Sequence, residues 1–418
     1  MGLFVGFIGA FYGLLLWRID KKIYNPGFLF EIYWASICIL SSIHLYGLYN
    51  IKNNVYFIIF CGETFFFMGF IFSYFMRSRF SLTKQIKYHK CSLENVNIIF
   101  AFLFCALVII DINVVSLILK GIPFQQIRYQ YMDDILKTYF MTVLYRFLVF
   151  PLIFSFIIIT IVDIICNKKF NTRLFIKAMI LTVMEFFALA DRMLLMLWIV
   201  GFGVAYAYLK DSISKKLKRI LCRMLVLGII LVIAVFWLRG VEGIRTTYYY
   251  LTGELIFLQN RISDISDYTI ITSSTQGILR PIMGIFEKIG IKWHLYELAD
   301  AFLYENQNQA FEIAMVNGEP IYYNYFISCY GCFYKDLGNV GIVLYTFLWG
   351  VVSSYIYKKI RRNDNDAYYL GIFIMIIMSI ALGMMNFSLM EVTYSWGIIF
   401  YIFFLCEKQN NLRCIKLT

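Results

Sequence analysis

Residues 95–119, NVNIIFAFLFCALVIIDINVVSLIL, contain a single charged side chain, Asp111. A membrane-spanning helix needs about 20 largely apolar residues, and this run meets that length. Working outward, comparable runs occupy 2–17, 28–49, 55–76, 141–165, 174–190, 193–209, 220–238, 339–357, 367–390 and 392–406. The chain therefore reads as an all-α polytopic integral membrane protein with about 11 transmembrane helices, in the range of roughly 10–12. Composition agrees: of 418 residues, 61% are hydrophobic and 15% charged, where an ordinary soluble domain carries roughly 25% charge. Too few polar residues exist to cover a water-soluble globule of this size. A cytosolic enzyme, a disordered tail and a disulfide-stapled secreted domain are excluded.

The net charge of +12 would point to nucleic acid in a soluble protein. Here it sorts by loop. The alternate loops 18–27, 77–94, 166–177, 210–223, 358–366 and 407–418 hold 25 Lys and Arg, whereas 50–54, 120–140 and 191–192 hold 5. The positive-inside rule makes the first set cytoplasmic, with the N-terminus out and the C-terminus in. Arg18, Lys21 and Lys22 follow the first apolar run, and no basic region precedes it, so it reads as an uncleaved helix. The segments are then 1–238 with eight helices, a large extracytoplasmic loop over 239–338, and 339–418 with three helices and a cytoplasmic tail.

Ionisable residues inside spans are costly and commonly line a cavity. Glu63, Asp111, Arg146, Glu185 and His44 all fall in the outer halves of their helices under this topology, and Arg146, Glu185 and His44 read equally as groups near helix ends that snorkel to water. Glu63 and Asp111 lie about eight residues in, roughly 12 Å, too deep for a short carboxylate to reach water. They predict a polar cavity open to the outer leaflet.

The loop 239–338 is net acidic, with eleven Asp and Glu against seven Lys and Arg. Arg239 and Arg245 stand where the eighth helix leaves the membrane, and Arg280 lies further along. An arginine fork fits phosphate oxygens, though interfacial arginines also pair with neighbouring acids. Tyr248, Tyr249, Tyr250, Trp293, Tyr296, Tyr304, Tyr322, Tyr323 and Tyr325 enrich the loop in rings that suit either sugar faces or a membrane interface. Amphipathic stretches 278–290 and 296–313 predict helices along the interface. His294, near Glu297 and Asp300, is a candidate general base or a structural histidine. Cys329 and Cys332 form a C-x-x-C without the second pair that zinc needs; a local disulfide and free thiols both remain open. No phosphate-binding glycine loop or metal-hydrolase motif occurs. The expectation is thus no cofactor, no metal, and energy drawn from an activated substrate.

The stretch Asn324-Tyr-Phe-Ile-Ser-Cys-Tyr-Gly-Cys-Phe-Tyr-Lys-Asp336-Leu-Gly338-Asn-Val-Gly341 leads straight into an apolar helix. It resembles the N…Y.DFG..G signature of the O-antigen and capsular oligosaccharide repeat-unit polymerases (Wzy-type). Asn25-Pro26 followed by Phe28 and Trp34, and the Ala190-Asp191-Arg192 break between two helices, are similar to the same family. Leu337 stands where that family usually has Phe, Phe326 where Thr is common, and Asp191 at a Ser-like position.

The resemblance implies a membrane glycosyltransferase of GT-C-like architecture. It would polymerise undecaprenyl-diphosphate-linked repeat units into O-antigen, capsule or exopolysaccharide at the outer face of the bacterial cytoplasmic membrane. Partners implied are the lipid-linked donor and acceptor glycans, a chain-length regulator and a flippase, with no nucleic acid. Arg192, Arg239 and Arg245 would bind diphosphate, with Arg128 and Arg280 as further cationic points. His294 or Asp336 would be the base, although Asp336 before Gly338 also reads as an ordinary helix cap and turn. Asn324 would orient the loop or contact sugar, and Glu63 and Asp111 would line the cavity. The alternatives are an O-antigen ligase and a lipid-linked oligosaccharide flippase or transporter.

Overall fold

The computed structural model describes residues 1–76, 89–91, 93–122, 135–136, 138–189, 193–210, 213–238, 243–324, 327–362 and 366–408. In chain order the helices are α1 (Gly2–Asp20), α2 (Pro26–Ser41), α3 (Asn53–Phe75) and α4 (Leu93–Leu119). Next come α5 (Tyr139–Leu144), which passes through a π-helical turn into α6 (Phe150–Asn167), then α7 (Thr172–Leu189), α8 (Met193–Leu209) and α9 (Lys215–Leu238). The remainder is α10 (Gly243–Asp264), α11 (Gln276–Lys288), α12 (His294–Asn308), α13 (Ser328–Arg362), α14 (Ala367–Ala381) and α15 (Val392–Phe400). Four short strands join them: β1 (His89–Cys91) pairs antiparallel with β4 (Cys406–Lys408), and β2 (Ala310–Val316) with β3 (Glu319–Asn324).

The protein is predominantly helical. Among the described residues, five helices are long and apolar enough to cross a membrane: Gly2–Asp20, Asn53–Phe75, Asn95–Leu119, Phe140–Asn167 and Ser328–Arg362. The surface of α1 is the reverse of a soluble helix. Phe4, Phe7 and Phe11 are exposed while Gly2, Gly6, Gly9 and Gly13 are buried. Small residues at the contact and large apolar ones outward are what a lipid solvent favours.

Contacts group the chain into two compact units, which cut across the three segments read from the sequence. One comprises 1–77, 230–359 and 376–391; the other comprises 78–229, 360–375 and 392–418. The second unit is built around α6, whose residues from Pro151 to Ile165 are all buried. Ser155 donates to the Gly397 carbonyl at 2.8 Å, and Phe154 meets Tyr394 edge-on. Tyr145 donates to Glu185 at 3.0 Å.

The first unit holds α10, α11, α12 and the β2–β3 hairpin together with α1, α2 and α3. Asn25 caps α2, its side chain accepting from Gly27 N at 2.9 Å and Phe28 N at 3.3 Å, and Pro26 occupies the first helical position. Helices α3 and α13 touch backbone to backbone. A Cβ at Gly69 would lie 2.1 Å from the Phe347 carbonyl oxygen, and one at Gly350 would lie 2.2 Å from that of Phe66. Backbone cannot rotate out of the way, so Gly69→Ala should cost about 1–3 kcal/mol by overpacking. Thermal unfolding in detergent should show the loss, with Gly203→Ala as the control, because its nearest neighbour is 3.9 Å away. Equal midpoints for the two variants would contradict this helix contact.

Three elements depart from the sequence reading, each for a local reason. The run 28–49 is helical only to Ser41, because Tyr49 N donates to Ile313 O at 3.0 Å and Leu48 bridges Ala314, extending the β2–β3 hairpin. The run 367–390 is helical only to Ala381. Beyond it the Gly383 and Met385 carbonyls accept from Cys329 N at 2.7 Å and Ser328 N at 3.2 Å, satisfying the open start of α13. The amphipathic stretch 296–313 ends its helix at Asn308, and β2 follows. Asn317 and Gly318, at φ 53° and 83°, form the tight left-handed turn that such a hairpin requires.

Candidate functional site

The first unit buries three carboxyl groups with no hydrogen-bond partner. Glu31 comes from α2, Glu63 from α3 and Glu254 from α10, each fully buried. Glu31 interacts electrostatically with Glu63. Glu254 lies close enough to Tyr33, Cys38, Tyr323 and Cys329 for each to feel its charge. The Tyr330 hydroxyl and the Trp34 indole N–H are also buried and unpartnered, with their rings 4.5 Å apart. Burial pushes the Glu254 carboxyl well above the ordinary carboxylate range. This acidic core is positioned by glycine: Glu63 Oε1 sits 2.3 Å from where a Gly9 Cβ would stand.

A second construction surrounds Asp336. Its carboxylate accepts from Thr269 Oγ1 at 2.7 Å, Ser273 N at 2.9 Å and Ser274 N at 3.0 Å, and it is fully buried. The backbone reinforces the knot, with Thr269 N donating to Lys335 O and Ile270 N to Asp336 O. Directly after it, α13 breaks at Leu337 and Gly338. Gly338 has φ 61° and ψ −142°, which only glycine adopts without strain. Asp336 thus pins the segment between α10 and α11 to the head of α13. Its carboxylate is taken up by those donors, which is the arrangement of a structural anchor.

The other sequence candidates are dispersed. His294 is 79% exposed at the start of α12, with Glu297 at 3.9 Å. Arg280 on α11 faces Asp300 at 3.6 Å, and Gln276 donates to the same carboxylate at 3.0 Å. Arg245 is partly exposed in the first turn of α10. Asp111 lies in the second unit, partly buried on α4. Asn324 ends β3. Arg128, Arg192 and Arg239 lie outside the described residues. Arg261 is bound by Asn306, Glu305 and Gln309 at 2.8–2.9 Å and ties α10 to α12.

Two of the loop tyrosines make hydrogen bonds to backbone: Tyr248 donates to Leu40 O at 3.0 Å and Tyr249 donates to Tyr46 O, fastening α10 to the end of α2 and to the turn that follows it. Cys329 and Cys332 are buried free thiols in the first turns of α13. The sequence reading missed Glu31 and Glu254. Their signal was present, since each is the lone acid within an apolar run, but the partners that make the pattern come from other helices.

Fold and site together define a helical protein of membrane type with an acidic, tyrosine-lined core. Compared with protein-family models, curated proteins and solved structures, the chain matches none.

Proposed function

We propose that this chain is a metal-independent membrane glycosyltransferase of the repeat-unit polymerase kind. It would join undecaprenyl-diphosphate-linked oligosaccharides at the outer face of a bacterial cytoplasmic membrane. The observation that carries the reading is the way the Asn324–Gly341 stretch organises α10. Gly331 packs 3.1 Å from Leu258 by its Cβ position, and Asp336 holds the segment that follows α10. That helix bears Arg245 near one end and the buried acid Glu254 about 13 Å further along. In this reading Arg245 holds the diphosphate and stabilises its developing charge. The acceptor oxygen attacks the anomeric carbon of the donor glycan. The bond to diphosphate breaks with its electron pair, and the hydroxyl proton passes to Glu254. A chain-length regulator and a flippase are the partners this role would require.

Arg245→Ala should leave single-repeat glycan in cells whose membranes carry normal amounts of the protein. Full-length polymer in that variant would remove the diphosphate role. A second reading, a lipid-linked oligosaccharide flippase, is favoured by the unpaired carboxyls of the first unit, since transporters place such groups inside the membrane. Purified protein reconstituted with lipid-linked repeat separates the two. A glycan ladder supports the polymerase, and translocation without a ladder supports the flippase.

A further inference from the structure

Glu31 and Glu63 occupy successive levels of the first unit. A Cβ at Gly9 would lie 2.3 Å from Glu63 Oε1, and one at Gly13 would lie 3.5 Å from the Glu31 Cβ. Those glycines are one helical turn apart, roughly 6 Å along α1. All four carboxyl oxygens are buried and lack hydrogen-bond partners. The Tyr330 hydroxyl interacts with both carboxyls and is itself fully buried and unpartnered. Aromatic rings wall the place off: Phe30 stacks on Phe66 at 3.8 Å, and Trp34 packs on Tyr330.

A cluster of acceptors this poor in donors must be completed by something. Among the described residues, no group of three acids, histidines or thiols is arranged to hold a metal ion. The packing beside the pair is tight: the Tyr330 ring is 2.1 Å from the Cβ position of Gly62, and Glu63 Oε1 is 2.3 Å from that of Gly9. A proton alone needs no volume. Two carboxylates in one apolar compartment repel and lose their hydration, and each proton bound removes one charge and supplies one donor.

We infer that Glu31 and Glu63, with the Tyr330 hydroxyl, form a proton-binding site inside the first unit. The titratable groups beside it are Cys38 on α2 and Cys329 on α13, Cys38 in turn feels Glu254 on α10, and α1 meets the two carboxyl side chains with Gly9 and Gly13. Because both carboxyls are fully buried, a proton reaches them from water only when the packing around them opens. Proton uptake and release are therefore linked to helix packing, whichever reaction the chain performs.

Infrared spectroscopy of the full-length protein in lipid nanodiscs at neutral pH tests this, since a protonated carboxyl has a carbonyl stretch separate from the carboxylate bands. The wild type should show that stretch, shifted in D2O. The Glu31→Gln/Glu63→Gln double variant should lose most of it, whereas Glu254→Gln should lose only a minor share. An undiminished band in the folded double variant would overturn the site. If that variant does not fold, Tyr330→Phe retains the ring packing and should displace the band by removing the hydroxyl dipole that interacts with both carboxyls. A band left in place would overturn the site equally.

Discussion

Replacing Asp336 with alanine is expected to cost on the order of 3–5 kcal/mol and to deplete folded protein from the membrane. The carboxylate accepts three hydrogen bonds, from Thr269 Oγ1, Ser273 N and Ser274 N, at a fully buried position. Alanine removes every acceptor at once and leaves the Ser273 and Ser274 N–H groups without this acceptor where water cannot replace it. A domain's whole stability is about 5–15 kcal/mol, so the loss is a large fraction. Asp336→Asn keeps the shape but presents N–H₂ to one of the donors, and an intermediate loss of about 1–2 kcal/mol is expected. Thermal unfolding in detergent orders the three proteins as wild type, asparagine, alanine. If alanine unfolds at the wild-type temperature, the anchor contributes nothing. A base role for Asp336 predicts the opposite pattern, with activity lost and stability kept.

The variant Glu254→Gln is expected to be more stable than the wild type at alkaline pH and to lose chain extension by roughly 10²–10⁴-fold. The stability half rests on burial, which raises the Glu254 carboxyl well above its ordinary value. When the folded-state value of an acid is raised, the native state binds more protons than the unfolded one. Its stability contribution is intact below the unfolded value near 4.3 and declines as pH rises toward the folded value. Glutamine cannot ionise and removes that decline. Unfolding midpoints should coincide at about pH 4 and separate by several degrees at about pH 8. The activity half follows from the proposed base role: a base works only when ionised, so on that proposal the wild-type rate rises with pH through a midpoint above the usual glutamate range. A glutamine variant that is stabilised yet fully active would leave Glu254 a buried acid without chemistry.

Legibility differed by kind of feature. Asn25-Pro26 could be read directly as a helix start, because a cap is a contact between residues two and three apart. The hairpin turn at Asn317-Gly318 was equally local and went unread beneath the amphipathic pattern of 296–313. The ends of the apolar runs at Ser41 and Ala381 were not legible, since both are set by distant backbone, Ile313 in one case and Cys329 in the other. The structural duty of Asp336 was open in the sequence because its donors lie more than sixty residues upstream.

Sequence alone determined that this protein is helical and of membrane type. Hydropathy over about 20 residues is a property of the chain itself, and no partner is needed to express it. It also marked Glu63 as anomalous, because the cost of a carboxyl among apolar residues can be read from its neighbours. Only the tertiary structure decided what Glu63 faces. Glu31 and Tyr330 reach it from α2 and α13, and the missing side chain of Gly9 on α1 leaves it room. The solvation of a buried charge is set by everything within a few ångströms, whichever part of the chain supplies it, and those ångströms exist only once the helices have packed.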